Sequence, residues 1–417
     1  ILDLQPAAIA GTGTAKDGSY PYGVDAPWLT YVSYTSKSKT TGTGDAAKTT
    51  NTYESDQSFA LGGLRMGGSM YYALDVSDVT APKIIYGVGS NYANRLKGDA
   101  AGLGGTINNA TSTSTTGSTE QKAFAKMGQS WGKPTLGYVK SGGKKVMVSF
   151  LPGGYDTCYE DSKFKLNTSY PADAQCNNKP AAQGSAVYMV QMGEVQTKTN
   201  GEETVNTAIK NGELLWWASN QGSGNDSTSR STSLQYSKSA DLKHSVVTQI
   251  RALDRNYDGF IDHIYFADLG GQVWRVDINN NKDTDNFKVD RVVKVLDVSD
   301  QVGTGDAPPR FYERPLITFY NGKFDYKDAK NVAGSSSGVQ AMITVGTGDR
   351  SNPVTASRSK ADALYTVVDK DVTRSDLFNY GTGIVPEIVL RTPGIKVPGA
   401  NDDSNKLQAL TFSATDI

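Results

Sequence analysis

Short β-strands followed by small-residue turns recur between residues 59 and 369, and this repeat constrains the fold more than any other feature. In each recurrence, a strand with an aromatic side chain is followed by a turn; the four examples are 72–75, 187–190, 273–277 and 364–369. No long helical pattern interrupts them. The repeat is typical of a β-propeller, in which four-stranded blades pack against their neighbours and each aromatic side chain fills the gap between blades. A β-sandwich with long loops is the alternative.

The strands fall into four clusters, which predict an all-β chain with a single propeller domain over residues 1–417. The predicted strands are 60–64, 69–75 and 83–87; 133–139, 144–150, 185–191 and 213–217; 245–250, 263–267, 272–277 and 291–295; and 314–319, 341–346 and 362–368. Polar, low-complexity stretches between them cannot form core. We predict loop insertions at 99–120, 156–184 and 220–240, and a further loop at 35–55.

The charge balance excludes some classes of partner. The chain has 42 basic and 43 acidic residues, a net charge of −1, so neither nucleic acid nor an anionic membrane surface is expected to bind. No run of about 18 apolar residues is present, so no membrane span is predicted. The chain begins at Ile1 without a Met, which indicates part of a longer protein. A missing signal peptide therefore says nothing about location.

Two cysteines, Cys158 and Cys176, lie in a polar stretch that predicts an exposed loop. A disulfide would staple this loop and would indicate an oxidising, extracytoplasmic compartment. Two unpaired thiols are the alternative. A zinc site is not expected, because the histidines His244 and His263 are distant in sequence and no Cys-x-x-Cys is present.

Residues 254–262 have the donor spacing of a calcium loop. Side-chain oxygens recur at loop positions 1, 3, 5 and 9, a glycine provides the sharp turn at position 6, and position 7 offers a backbone carbonyl. The residues are Asp254, Asn256, Asp258 and Asp262, with Gly259 at the turn and the carbonyl of Phe260. Three carboxylates repel one another without a cation, so the loop should loosen when calcium is removed.

The loop is not an EF-hand, because position 12 is Tyr265 instead of a bidentate Glu and a strand follows. It is similar to the loops between strands of integrin-type propellers. A metal-free Asp/Asn turn is the alternative, and magnesium is disfavoured because it retains its waters. Of the other acidic residues, Asp75 and Asp78 are predicted to cap a turn, and Asp268 is predicted to support the calcium loop from behind its ligands.

No catalytic set is recognisable, so no enzyme activity is predicted. His244 has no Ser and Asp partners in a recognisable pattern, and Gly-x-Ser-x-Gly is absent. The glycines at positions 62 and 67 lack the Lys-Ser/Thr that a phosphate loop requires, and are interpreted as turn residues.

An ordered set of motifs covers most of the chain. They lie at 20–25, 67–78, 131–134, 211–216, 254–277, 345–349 and 374–377. In this order, with the calcium loop just before the Asp-Leu-Gly-Gly-Gln-Val-Trp-Arg stretch at 268–275, they resemble the C-terminal propeller domain of the PilC/PilY family of type IV pilus tip-associated proteins. A Leu-Tyr-Val-Gly-Ala-Asn-type strand that usually opens the family's first blade is absent here.

The resemblance implies a modified seven-bladed propeller, with a first blade that is incomplete in this chain, and one calcium ion held by Asp254, Asn256, Asp258, the Phe260 carbonyl and Asp262. It implies a secreted protein at the pilus tip, cell surface or outer membrane, a fimbrial factor in pilus biogenesis, cell adhesion and twitching motility. In the family, calcium occupancy governs pilus extension against retraction. The implied partners are minor pilins of the pilus tip, and host-cell or abiotic surfaces contacted through a region N-terminal to this one.

Two other function classes remain open at this stage. Pyrroloquinoline-quinone dehydrogenases are also large calcium-containing propellers, but their calcium ligands are scattered over several blades and they carry an adjacent cysteine pair. The 22 tyrosines and 5 tryptophans also permit a glycan-binding, lectin-like propeller.

Overall fold

The computed structural model describes residues 24–90, 96–97, 119–171, 173–192, 196–199, 202–205, 211–220, 234–281, 285–302, 305–327, 332–350, 353, 362–378, 390–392, 395–396 and 409–413. In this part of the chain the structure is all-β, and the strands form four sheets of four or five strands and one separate hairpin. Helical segments here are short: α1 (Thr119–Phe124) and the 3₁₀ turns Gly44–Ala46, Arg65–Gly67 and Thr157–Glu160. No helix among these residues is long and apolar enough to cross a membrane.

The first two sheets come from residues 29–238. Sheet I has the order β1 (Leu29–Thr41), β2 (Lys48–Gly63), β3 (Met70–Asp75), β4 (Lys83–Gly89), β5 (Leu96–Lys97). Sheet II has the order β12 (Gln235–Lys238), β11 (Leu214–Ser219), β8 (Ala186–Gln191), β7 (Lys144–Pro152), β6 (Thr135–Ser141). The separate hairpin pairs β9 (Gln196–Thr199) with β10 (Glu202–Val205).

The other two sheets follow in chain order. Sheet III has the order β13 (Arg251–Leu253), β14 (His263–Ala267), β15 (Gln272–Asn279), β16 (Lys288–Asp297), β20 (Ile395–Lys396). Sheet IV has the order β17 (Leu316–Lys327), β18 (Ala333–Gly346), β19 (Ala363–Asp369), β21 (Ala409–Ser413). Neighbouring strands are antiparallel except β11–β12 and β16–β20, which are parallel.

Consecutive sheets pack face to face, and three apolar clusters separate them. The alternation of side chains along each inner strand explains this packing. In β8, Tyr188 and Val190 face sheet I, whereas Val187 and Met189 face sheet III. In β14, Ile264 and Phe266 face sheet II, whereas Tyr265 and Ala267 face sheet IV.

This sequential stacking of meandering sheets is compatible with a propeller-like fold. The described residues contain four such sheets, and the seven blades stay a prediction. Of the aromatic residues predicted to fill the gaps, Tyr188, Trp274 and Tyr365 lie in the clusters between sheets. Tyr72 instead packs with Leu64, Met70 and Trp28 in a small separate cluster.

Backbone hydrogen bonds connect the sheets at one end of the stack. The N–H of Gly128 donates to Gly153 O at 2.8 Å, Gly154 N–H donates to Val246 O at 2.8 Å, and Leu269 N–H donates to Ser245 O at 3.0 Å. Gly154 has φ +105°, and a Cβ there would lie 2.5 Å from the carbonyl oxygen of Gln129. Only glycine therefore allows these backbone segments to approach closely enough for the hydrogen bonds to form.

Several predicted elements differ in the structure. The predicted strand 245–250 is irregular, because it crosses between sheet ends, and the strand begins at Arg251. The predicted loop 35–55 lies mostly in β1 and β2, which pair through Thr41 and Lys48. Residues 235–238, inside the predicted insertion 220–240, form β12. Pairing with a neighbouring strand gives these polar segments a regular structure that their composition does not indicate. Residues 98–118 and 221–233 lie outside the described residues.

The insertion at 156–184 is the largest departure from an exposed loop. The predicted disulfide Cys158–Cys176 is confirmed, with 5.6 Å between the Cα atoms, but both cysteines are buried and only 5% exposed. They pack with Tyr155, Tyr159 and Phe164 in a fourth apolar cluster. The cluster also contains Val247, Leu269 and Tyr312, so the insertion buries its aromatic side chains against other parts of the chain.

Two buried polar groups attach this insertion to the sheets. Asp156 accepts hydrogen bonds from the N–H of Cys158 and of Gln183, at 3.1 Å and 2.6 Å, which joins the beginning and the end of the insertion. Arg310 donates to the carbonyls of Tyr159 and Asp161, both at 2.7 Å. The insertion is therefore held as a fixed part of the molecule.

We predict that the double substitution C158A/C176A lowers the free energy of unfolding by about 3 kcal/mol, since the bond closes a loop with a sequence separation of 18 residues. Urea unfolding with and without reductant measures this change. Reductant should destabilise the wild type and leave the double variant unchanged. Equal midpoints for the two proteins under oxidising conditions would contradict the prediction.

Candidate metal centre

The predicted calcium loop connects two paired strands of sheet III, as expected. It runs from the end of β13 to the start of β14, where Leu253 and His263 are register partners. The N–H of Asp262 donates to Leu253 O at 3.0 Å, and the carbonyl of Asp262 accepts from Ile278 N–H at 2.7 Å. Both ends of the loop are therefore fixed by the sheet.

The second half of the loop is also attached to sheet II. Ile261 N–H donates to Tyr138 O at 2.8 Å, and Ile261 O accepts from Asn280 Nδ2 at 2.9 Å. Asn280 Oδ1 accepts in turn from the N–H of Lys140 at 3.0 Å. A Cβ at Gly137 would lie 2.4 Å from Ile261 Cγ1, so this glycine makes room for the loop.

Two residues in the first half have left-handed backbone conformations, which allow the tight winding. Tyr257 has φ +60° and is 92% exposed, and Gly259 has φ +85°. Lys145 of β7 packs against this turn, with its Nζ 5.5 Å from the ring centre of Phe260. The glycine predicted at the sharp turn therefore has the conformation that its position requires.

The predicted ligand side chains all bond to groups of the loop itself. Asp254 Oδ2 accepts from Gly259 N–H at 2.8 Å, and Asp262 Oδ2 accepts from Arg255 N–H at 2.9 Å. Asp258 Oδ1 accepts from Phe260 N–H at 2.9 Å, and Asn256 Oδ1 accepts from Asp258 N–H at 3.2 Å. The side chains thus shape the loop by binding its backbone.

The ligand set fits a hard cation in its chemistry. A carboxylate oxygen has two lone pairs, so one N–H bond leaves capacity for a metal. Asp254 Oδ1 is buried and has no hydrogen-bond partner in the described structure, which is costly for a carboxylate oxygen. The described residues contain no group of three or more His, Cys, Asp or Glu side chains arranged around a common metal position. The loop carries the oxygen donors, but their side chains are not arranged around one common ion position.

Burial sets the electrostatics of the loop. Asp262 is only 4% exposed, and burial raises the pKa of its carboxyl to about 7, helped by the charges of Asp258 and Asp254 and opposed by Arg255. Asn256 and Asp258 are exposed, and Asp254 and Phe260 are half-buried. The loop therefore presents oxygen donors from a buried base to an exposed tip.

A buried ion network below the loop was not predicted from the sequence. Arg275 Nε donates to Asp277 Oδ1 at 2.7 Å, and Arg275 Nη1 donates to Asp369 Oδ1 at 2.6 Å. Tyr265, at the position where an EF-hand has its Glu, donates its hydroxyl to Asp369 Oδ2 at 3.0 Å. All four side chains are fully buried. The network joins sheet III to the end of β19 in sheet IV, and no local motif signals it.

His263 connects this network to the loop. It directly follows Asp262, is fully buried, and its Nδ1 lies 2.8 Å from Asp277 Oδ1. Burial lowers the pKa of His263, so the ring is held neutral. In the neutral tautomer with hydrogen on Nδ1, the ring donates to the Asp277 carboxylate.

The prediction for Asp268 is wrong. Asp268 lies at the opposite end of β14 from the loop, where it accepts from Gly270 N–H, Gln272 N–H and Trp274 Nε1 at 2.9, 3.1 and 2.8 Å. It organises the β14–β15 turn, and none of these partners belongs to the loop. The five-residue strand β14 holds Asp268 and the loop at its opposite ends, although the two are close in sequence.

Three other polar residues, Asp75, Asp78 and His244, have structural roles, as predicted. Asp75 accepts from Ser77 N–H, and Asp78 accepts from Thr80 N–H, both at 2.9 Å, as turn caps do. His244 bonds through Nδ1 to the Tyr159 hydroxyl at 2.8 Å, and burial lowers its pKa to about 4. His244 thus has a structural role as a partner of Tyr159 in the insertion.

No family model and no curated protein matches the chain. Among solved structures, the chain is similar to the C-terminal domain of PilY1 from Pseudomonas aeruginosa. The similarity covers 87% of this chain and 51% of that one, with a TM-score of 0.42 and 14% sequence identity. The chain therefore spans about half the length of the structure that it matches.

We predict that R275M lowers the free energy of unfolding by about 3–5 kcal/mol, because it removes the buried cation that Asp369 and Asp277 share and leaves Asp277 with Arg291 at 3.4 Å. Chemical unfolding of the purified variant measures the change. R350M is the matched control, since Arg350 pairs with Glu313 at the surface, where an ion pair contributes less than about 1 kcal/mol. Equal destabilisation by the two substitutions would argue against the network.

Proposed function

We propose that residues 254–262 bind one calcium ion within a non-enzymatic, propeller-type domain of a type IV pilus tip-associated protein. The observation that carries the proposal is Asp254 Oδ1, a buried carboxylate oxygen with no partner in the described structure, in a loop with calcium-type donor spacing. Asp254, Asn256, Asp258, Asp262 and the Phe260 carbonyl would hold the ion. Its charge would offset the repulsion among three carboxylates.

The pilus assignment rests on the ordered motifs at 67–78, 131–134, 211–216, 254–277, 345–349 and 374–377. On this basis the protein acts outside the cytoplasm, at the pilus or cell surface, and calcium occupancy governs pilus extension against retraction and surface attachment. The buried disulfide supports an oxidising compartment. Sequential face-to-face packing of meandering sheets supports the propeller.

We predict that D258A weakens calcium binding on the order of a hundredfold or more, since it removes one of three charged ligands while the sheets remain folded. Isothermal titration calorimetry measures the affinity, and circular dichroism checks the fold. D325A is the control, because Asp325 lies exposed on β17, away from the loop. Unchanged calcium affinity in D258A would overturn the ligand assignment.

Calcium removal should loosen the loop and leave the sheets folded, because the core lies in the apolar clusters between them. At a free calcium concentration of 100 times Kd, binding should add about 2.7 kcal/mol to the free energy of unfolding. Thermal melts in calcium and in chelator measure this difference for the wild type and D258A. Global unfolding in chelator at room temperature would contradict the prediction.

The pilus function is tested in cells with the full-length protein. A strain carrying D258A should assemble or retract pili abnormally, and one carrying D325A should behave as the wild type does. Normal extension, twitching and attachment in a D258A strain with proven loss of calcium binding would separate the loop from the pilus function.

A further inference from the structure

Arg255 connects the loop to a segment beyond sheet IV. Its backbone N–H donates to the predicted ligand Asp262, and its side-chain Nη2 donates to the carbonyl oxygen of Arg374 at 2.7 Å. The guanidinium carbon lies 5.4 Å from the ring centre of Phe378. One residue therefore contacts both the candidate metal centre and the segment 374–378.

The other end of the loop contacts the same aromatic ring. His263 stacks on Phe378 with 5.4 Å between ring centres and 18° between ring planes. Arg255 is the second residue of the loop and His263 directly follows the loop, so Phe378 contacts a residue near each end. A displacement of the Arg255 side chain relative to His263 would therefore change the contacts of this ring.

Segment 374–378 is held by these contacts and by two others: Arg291 Nη2 donates to Leu377 O at 3.1 Å, and Arg374 N–H donates to Asp371 O at 2.9 Å. It follows β19 as a series of turns, and the N–H of Leu377 reaches the Arg374 carbonyl at only 3.4 Å. The stronger bond to that carbonyl is the one from Arg255, at 2.7 Å. A charged donor at this distance contributes more than a long backbone bond.

The attachments of the loop determine which half can adjust. Ile261 is bonded to Tyr138 of sheet II and to Asn280 of sheet III, so the second half is held on two sides. Arg255, in the first half, is held by Asp262, Arg374 and Phe378. When the loop oxygens move towards a bound ion, we therefore expect the first half of the loop to move more than the second.

Charge gives the direction of the effect. Arg255 is a cation within the loop, next to Asp254 in sequence, so its guanidinium is attracted by the loop carboxylates. A divalent cation in the loop neutralises these carboxylates and repels the guanidinium. The guanidinium then favours the Arg374 carbonyl and the Phe378 ring.

We propose that Arg255 couples occupancy of the loop by calcium to the order of segment 374–378, so that the bound ion stabilises this segment at the end of sheet IV. The coupling rests on the proposed calcium function. Thr373, Ser375 and Asp376 are exposed there. The loop therefore controls a surface that contains none of its own ligands.

Hydrogen exchange measured by mass spectrometry tests the coupling in the complete chain. In the wild type, calcium should slow exchange in peptides that contain Arg374 and Leu377 by about fivefold or more. In R255M, which keeps the aliphatic stem but removes charge and donor, this slowing should disappear. R251M is the matched control, a cation-to-Met change on β13, and should respond to calcium as the wild type does.

Reciprocity gives a second measurement that does not depend on R255M folding well. If calcium stabilises segment 374–378, loosening that segment must weaken calcium binding by the same factor. F378L, outside the ligand set, should therefore lower the calcium affinity about fivefold or more by calorimetry.

The outcomes separate the two proposals. A wild type that binds no calcium overturns the proposed function and the coupling with it. A wild type that binds calcium without slower exchange at 374–378 overturns the coupling alone. Calcium-dependent protection that persists in R255M, or unchanged affinity in F378L, also overturns the coupling and leaves the calcium site standing.

Discussion

Burial of the inner strands on both faces is the constraint on which the rest of the structure depends. A strand such as β8 carries apolar side chains on both sides, so its sheet needs a neighbour on each face. The four sheets therefore stack in chain order, and their connections meet at one end in a series of backbone hydrogen bonds. Loops between the outer strands remain at the surface, where the candidate metal centre lies.

The buried Arg275 network performs a task that apolar packing does not. Apolar contacts between sheets are non-directional, whereas an arginine shared between two carboxylates fixes one orientation. Arg275 joins Asp277 on β15 to Asp369 at the end of β19, and His263 extends the network to the loop. The loop is thus placed beside segment 374–378 by charges that lie entirely inside the protein.

The two halves of the loop have different attachments, which in the proposed function would suit a regulatory ion better than a catalytic one. Its second half is bonded to sheets II and III, and its first half reaches the segment beyond sheet IV through Arg255. An ion that binds to both halves changes their relation to each other. In the proposed pilus function, calcium binding would change the position of the two halves relative to each other. The rest of the protein would respond to that change.

The all-β class, most inner strands and the position of the loop between two strands follow from the sequence, since alternation, turn residues and donor spacing are local signals. The sequence favoured the disulfide but left two unpaired thiols open, and the structure shows the bond. The predictions from sequence were wrong for polar segments whose structure depends on contacts with other parts of the chain. Residues 35–55 form a hairpin, and residues 156–184 contribute to an apolar cluster. Asp268 bonds to its own turn and not to the loop. No local pattern indicated that Asp369 meets Arg275 and Asp277, or that Arg255 reaches Arg374. Arg275 and Asp369 lie 94 positions apart and Arg255 and Arg374 lie 119 positions apart, so sheet packing alone brings them together.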